Sequence, residues 1–291
     1  MHTFNLLFHA PYMQYAFAAA VAVGVVCSLL SVIVVLKRMA FIGQGVSHAG
    51  FGGFGLAMFL GLNPAATDAV VACFCLLTSL GIGYLVRRRK VEPDSAIGIV
   101  LVAGMAIGVV LQNLRVALYN VPWYRHAFGS HYATVSWEQL LFGSLLTVGP
   151  AGMWMSLILA AAVILTCGLL YKELMYFAFD ETAAQVHGIR TAWCYYLLLT
   201  ILGLVVVVAM KLVGFILVSA LLVIPGAAAL AVGRRMSGTL ILAVIIGLIG
   251  SLGGLVLSIE VGQLSPGASI VVVLFALFLL SSLAGRLMQK N

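Results

Sequence analysis

The chain has 291 residues, 64% of them hydrophobic and only 8% charged, with a mean hydropathy of +1.19, a makeup that excludes an ordinary soluble domain. At about 20 apolar residues per crossing, this length accommodates up to about nine or ten membrane-spanning helices and leaves little over, so one transmembrane domain over 1–291 is expected. The formal charge of +7 does not indicate nucleic-acid binding, because the basic residues cluster at the ends of apolar runs, as topology signals do.

The amino terminus, "MHTFNLLFHAPYMQ", has no basic residue ahead of its apolar stretch and carries Pro11. A cleaved signal peptide is therefore not expected, and the first span is read as retained. Apolar runs of helical length follow at about 15–36, 41–61, 65–86, 96–114, 151–171, 192–210, 212–232, 238–258 and 268–286. The fold class is all-α and polytopic, with eight or nine transmembrane helices. The stretch Tyr196 to Val232 contains a single charge, Lys211, and is too long for one crossing; a break is expected near Lys211 and Gly214.

With the amino terminus outside, the cytoplasmic side receives Lys37, Arg38, Arg87, Arg88, Arg89, Lys90, Lys172, Arg190, Arg234, Arg235, Arg286 and Lys290. Only Arg115, Arg125 and Lys211 then fall outside, a bias that the positive-inside rule predicts. The external loop at about 115–137 mixes Trp123, Tyr124, Tyr132 and Trp137 with His126 and His131. Its aromatic residues read as headgroup anchors or as an interfacial platform, and its histidines as metal-receiving, partner-touching or neither. The five cysteines all fall in apolar runs, so no disulfide framework is expected, and Cys73 and Cys75, two apart, point to different faces.

In "GQGVSHAGFGG", helical geometry places Gly45, Ala49, Gly53, Ala57 and Gly61 in one small-residue stripe that admits another helix closely. Gln44 and His48 form the neighbouring stripe, beside a packed seam. They read either as polar groups bonding between helices or as candidate ligands on a metal path, since imidazole binds zinc and related ions. On the cytoplasmic side, Asp180 can cap a short helix at about 180–188 whose first turn holds Glu181 and Thr182, and Gly188 can end it. That segment reads as a polar loop or as a docking helix, in which small Ala183 and Ala184 let it enter a groove. None of the five lysines is followed by Ser or Thr, so the chain has no Walker-type phosphate loop and any ATPase is a separate chain. Ser47 and His48 are adjacent and diverge by about 100°, which argues against an intramembrane hydrolase; no enzymatic activity is expected.

Taken together, the residues resemble the membrane permease subunits of ATP-binding-cassette importers for zinc, manganese and iron. "KRMAFIGQGVSHAGFGG" is similar to that family's second-helix block, "LLFGSLLTV" to its Phe-Gly-Ser segment and "FDETAAQVHGI" to its coupling helix. "VAMKLVGFILVSALLVIPGAAA" and "SPGASIVVVL" resemble its most specific stretch and its last-helix signature. The resemblance implies a homodimeric channel in the plasma membrane of a prokaryote, the inner membrane if Gram-negative. It also implies a cytoplasmic ATPase gripping the coupling helix through Asp180, Glu181, Ala184 and Gly188, and an extracytoplasmic metal-binding protein. It further implies that no cofactor is bound permanently, that the divalent metal ion is cargo and that ATP acts on the partner subunit. Where the family usually places Asp, this chain has Gln44, which offers a carbonyl oxygen without charge and tilts the pair toward zinc while leaving open whether it binds metal. The competing expectation is a secondary transporter or channel for another small solute, which would need acids buried in mid-span.

Overall fold

The computed structural model describes residues 11–89, 91–122, 124, 148–261 and 264–289, all of whose regular structure is helical. The expected external histidines His126 and His131 and the Phe142-Gly143-Ser144 segment lie outside the described residues. Twelve helices are seen among them: α1 (Pro11–Leu36), α2 (Ile42–Phe59), α3 (Pro64–Arg89), α4 (Pro93–Leu118), α5 (Pro150–Leu169), α6 (Tyr171–Phe179), α7 (Glu181–Val186), α8 (Thr191–Val213), α9 (Phe215–Leu221), α10 (Ile224–Val232), α11 (Met236–Val261) and α12 (Pro266–Gln289). Proline opens six of these or stands second in them, a position where its missing N–H costs nothing.

Eight segments are long and apolar enough to cross a membrane, with α9 and α10 together making one. The all-α polytopic fold stands. Helix α2 is not among the eight, although it occupies the expected second run. Its glycines and its polar Gln44, Ser47 and His48 dilute the hydrocarbon, and most of its residues are buried. It is clad by other helices, so its polar groups need not meet lipid.

The expected break in the long run after Tyr196 falls at Gly214, whose φ of 85° and ψ of 165° take the chain out of α8. Only glycine enters this region without strain. A second break, at Leu222 and Val223, precedes Pro225 at the start of α10. The proline ring disfavours helical continuation from the turn before it, so one expected span becomes two short helices. The run expected at 151–171 ends at Leu169; Leu170, at φ −103° and ψ 24°, turns the chain into α6.

The chain divides into two compact units. The first is drawn from Met1–Ala40, Glu138–Tyr195 and Val208–Asn291. There α1 is the hub, packed against α5, α10 and α11, while α12 packs on α10 and α11. Helix α1 is followed by Lys37 and then by Arg38 in the left-handed region at φ 56°, where the N–H of Met39 donates to the Val34 carbonyl (2.9 Å) and that of Arg38 to Val35 (3.1 Å). This closing turn normally takes glycine, and buried Met39 supplies its apolar contact. The second unit is drawn from Phe41–Trp137 and Tyr196–Val207; α2 lies in it between α3 and α4. Ser79 Oγ on α3 donates to the Leu199 carbonyl of α8 at 2.7 Å.

Candidate functional site

Two places carry the chemistry that the sequence singles out. The first is α2. A Cβ on Gly45 would come within 2.6 Å of the Ile97 side chain of α4, and one on Gly104 of α4 within 2.6 Å of the Ala49 Cα. Further along, a Cβ on Gly55 would lie 2.7 Å from the Gly108 backbone. The α2–α4 seam is therefore a backbone-to-backbone approach that only small residues permit.

The expected four-residue stripe is only partly the one used. Four residues overshoot a 3.6-residue turn by about 40°, so after two repeats the stripe has rotated by about 80°. Gly53 accordingly faces Phe74 and Val71 of α3 rather than α4. Gly61 lies beyond the helix at φ 61°, closing it: Leu62 N–H donates to the Ala57 carbonyl at 3.1 Å and Gly61 N–H to Met58 at 3.2 Å. The buried Tyr124 hydroxyl adds a bond to the Phe59 carbonyl.

Gln44 and His48 sit one turn apart on α2, both half-buried. Between them Ser47 Oγ donates to the Gln44 carbonyl at 3.1 Å. The His48 imidazole meets the Phe51 ring edge-on, centroids 6.0 Å apart. Cys75 of α3 is buried and its thiol points to the Val46 carbonyl, 3.6 Å away, whereas Cys73 is exposed, so the two do not form a thiolate pair. Among the described residues no group of three or more His, Cys, Asp or Glu side chains could hold a metal ion. What α2 offers is an amide oxygen and an imidazole nitrogen one turn apart, a donor set too small by itself to retain an ion.

The second place is α7. Asp180, with extended backbone, accepts from the N–H of Thr182 (2.8 Å), the N–H of Ala183 (3.1 Å) and the Thr182 hydroxyl (2.7 Å). The cap expected from the sequence is present, and it satisfies donors that a helix start leaves open. The Thr182 hydroxyl first, then the Ala183 amide, hold the Asp180 carboxyl below its ordinary range, with Lys37 contributing through its charge. At the other end Gly188, at φ 79°, closes the helix; its N–H donates to Gln185 (2.9 Å) and that of Ile189 to Ala184 (3.0 Å).

Several contacts here could not be found by reading along the chain. Lys37 at the end of α1 pairs with Glu181 Oε2 at 3.4 Å and lies 3.7 Å from the centroid of the Phe177 ring on α6. Gln185 Nε2 donates to Thr191 Oγ1 at 3.1 Å, tying α7 to the start of α8. His187 stacks on Tyr176 with centroids 5.4 Å apart. Ala184 is fully buried, so it seats α7 against its own chain and is not available to enter a groove. The outward face presents Thr182, Gln185 and Val186, the last 86% exposed.

The sequence pattern of the ABC 3 transport family matches residues 9–285. The chain is 33% identical over 278 residues to the manganese transport system membrane protein MntC of Halalkalibacterium halodurans, covering 96% of this chain and 89% of that protein. It is 31% identical over 269 residues to the chelated iron transport system membrane protein YfeD of Yersinia pestis, covering 92% and 84%. Among solved structures it superposes on a chain of PsaBC from Streptococcus pneumoniae in complex with Fab with a TM-score of 0.76 at 28% identity, covering 96% of this chain and 94% of that one.

Proposed function

Because the chain belongs to the ABC 3 transport family, we propose that residues 1–291 form the membrane permease of an ATP-driven importer of divalent transition-metal ions and work as a homodimer. The observation that carries this reading is the family match across residues 9–285. Its relatives are named for manganese and for chelated iron, and these ions are the first candidates for cargo. Zinc is the second, favoured by the Gln44 and His48 pair, in which a nitrogen donor stands without a carboxylate.

In this reading Gln44 and His48 line the path and the ion exchanges ligands as it passes. An extracytoplasmic metal-binding protein delivers the ion. A separate cytoplasmic ATPase, which supplies the phosphate loop this sequence lacks, docks on the outward face of α7. Asp180 and Gly188 fix the ends of that helix, Glu181 and Lys37 brace it, and Ala184 seats it. Force exerted on α7 reaches the spans through α6, through Lys37 on α1 and through Thr191 on α8.

The test is uptake by the reconstituted complex with manganese, iron and zinc in competition. Uptake of one of the three, dependent on ATP and on the binding protein, is expected. Uptake of none of them would overturn the assignment.

A further inference from the structure

The geometry points to a binding site for an anionic phospholipid of the inner leaflet, with an acyl chain in an apolar crevice of the first unit and the headgroup on Lys172 and Arg235. The crevice encloses about 200 Å³ and is lined by Leu29 and Ile33 of α1, Cys167 and Gly168 of α5, Leu174 of α6 and Leu240 of α11. Ile33 lies three residues before the end of α1, Cys167 two before the end of α5, and Leu240 four after the start of α11. The clusters of basic residues place all three of these ends on the cytoplasmic side. The crevice therefore lies at the depth of inner-leaflet hydrocarbon.

An apolar lining gives water no hydrogen-bond partners, so such a space stays dry or takes hydrocarbon. At this depth the hydrocarbon available is lipid. Tyr171, also in the lining and partly exposed, stands where aromatic residues mark the headgroup level. The next residue, Lys172, is exposed, as are Arg234 and Arg235 ahead of α11; Glu173 is the one acid adjacent in sequence. Cations outnumber it: Lys172 follows the lining residue Tyr171 and Arg235 lies five residues before the lining residue Leu240, and cationic groups at the cytoplasmic ends of spans are the chemistry that holds anionic headgroups. The site also bears on α7: buried Leu174 belongs to α6, the helix that ends at Asp180, the α7 cap. A chain in the crevice backs the helix from which α7 extends.

Gly168 provides the test, because a Cβ there meets nothing within 4 Å. Gly168→Leu fills the crevice with a better helix former, so folding is preserved. Gly81→Leu on α3, where a Cβ also meets nothing, is the control. The permease with its ATPase is placed in nanodiscs of mixed phosphatidylcholine and phosphatidylglycerol, and the lipid retained on release is read by native mass spectrometry. Wild type and Gly81→Leu should keep phosphatidylglycerol in preference to phosphatidylcholine, Gly168→Leu should lose it, and Lys172→Gln with Arg235→Gln should lose the preference. Equal retention of the two lipids by wild type would overturn the proposal, as would undiminished phosphatidylglycerol on Gly168→Leu. A change in oligomeric state on Gly168→Leu with lipid retention intact would give the crevice to a second copy of the chain and equally overturn it.

Discussion

A half-buried imidazole in a chain with so few polar residues stands to lose its role cleanly when truncated. His48→Ala removes the one strong nitrogen donor on α2 while leaving the glycine seam that packs the helix against α4 intact. Metal uptake should fall at limiting ion while the complex still assembles and copurifies with its ATPase; wild-type uptake by this variant would reduce His48 to interhelical packing. Gln44→Asp adds a carboxylate one turn away, and hard carboxylate donors favour manganese over zinc. Competition uptake should shift toward manganese, and an unchanged order would remove Gln44 from the ligand set. Asp180 gives a pH handle. Its carboxyl is held below the ordinary value of 3.8 by the bonds it accepts, so its contribution to α7 is complete above that value and is lost as pH falls through the lowered one. Asp180→Asn, which still caps, should leave amide exchange across 181–189 near wild type at neutral pH, whereas Asp180→Ala should accelerate it.

Among the elements, α7 and the α2–α4 seam make opposite demands. The six-residue α7 depends on its first internal bond, from Ala184 N–H to the Asp180 carbonyl at 3.0 Å. Ala184→Pro deletes that bond and should cost about 3 kcal/mol of helix stability, uncoupling ATP hydrolysis from transport while the spans still insert. Val186→Glu leaves the helix intact and charges its most exposed apolar residue. It should weaken ATPase copurification without changing thermal stability, which separates docking from folding. In the seam, a side chain on Gly108 would meet the Phe51 backbone at 2.6 Å, so Gly108→Leu should cost about 1–3 kcal/mol by overpacking, measured as a lower melting temperature than that of Gly81→Leu. The long apolar helices, the break at Gly214 and both ends of α7 were legible in the sequence because each rests on local chemistry: apolar runs, a glycine, a capping aspartate; α6 was not expected as a separate helix. The partners of α7 were not, since Lys37 reaches Glu181 across 144 positions. Nor was the drift of the small-residue stripe, which depends on where α3 and α4 come to lie. The break before Pro225 had a signal in the proline itself, masked by an otherwise unbroken apolar run.

For the whole molecule, the decision between an ATP-driven permease and a gradient-driven carrier turns on where the acids are. A carrier needs carboxylates in mid-span that bind and release the coupling ion. Of the seven acids among the described residues, Glu92 and Asp94 lie at the start of α4 and Glu260 one residue before the end of α11. Asp68 is in the second turn of α3, and Glu173, Asp180 and Glu181 belong to the short helices α6 and α7 and the link between them. None of the seven is central to a crossing, so the described spans hold no carboxylate relay. In the proposed function energy enters from a separate ATPase, and α7, capped by Asp180 and tied to Lys37 and to Thr191 of α8, is the element proposed to receive it. Vesicles containing the permease and its ATPase should accumulate metal only when ATP and the metal-binding protein are both supplied. An imposed proton or sodium gradient should not replace either, and the Ala184→Pro complex should hydrolyse ATP without accumulating metal. Gradient-driven uptake by the permease alone would reverse the assignment, because it would require a coupling site that the acids described here do not form.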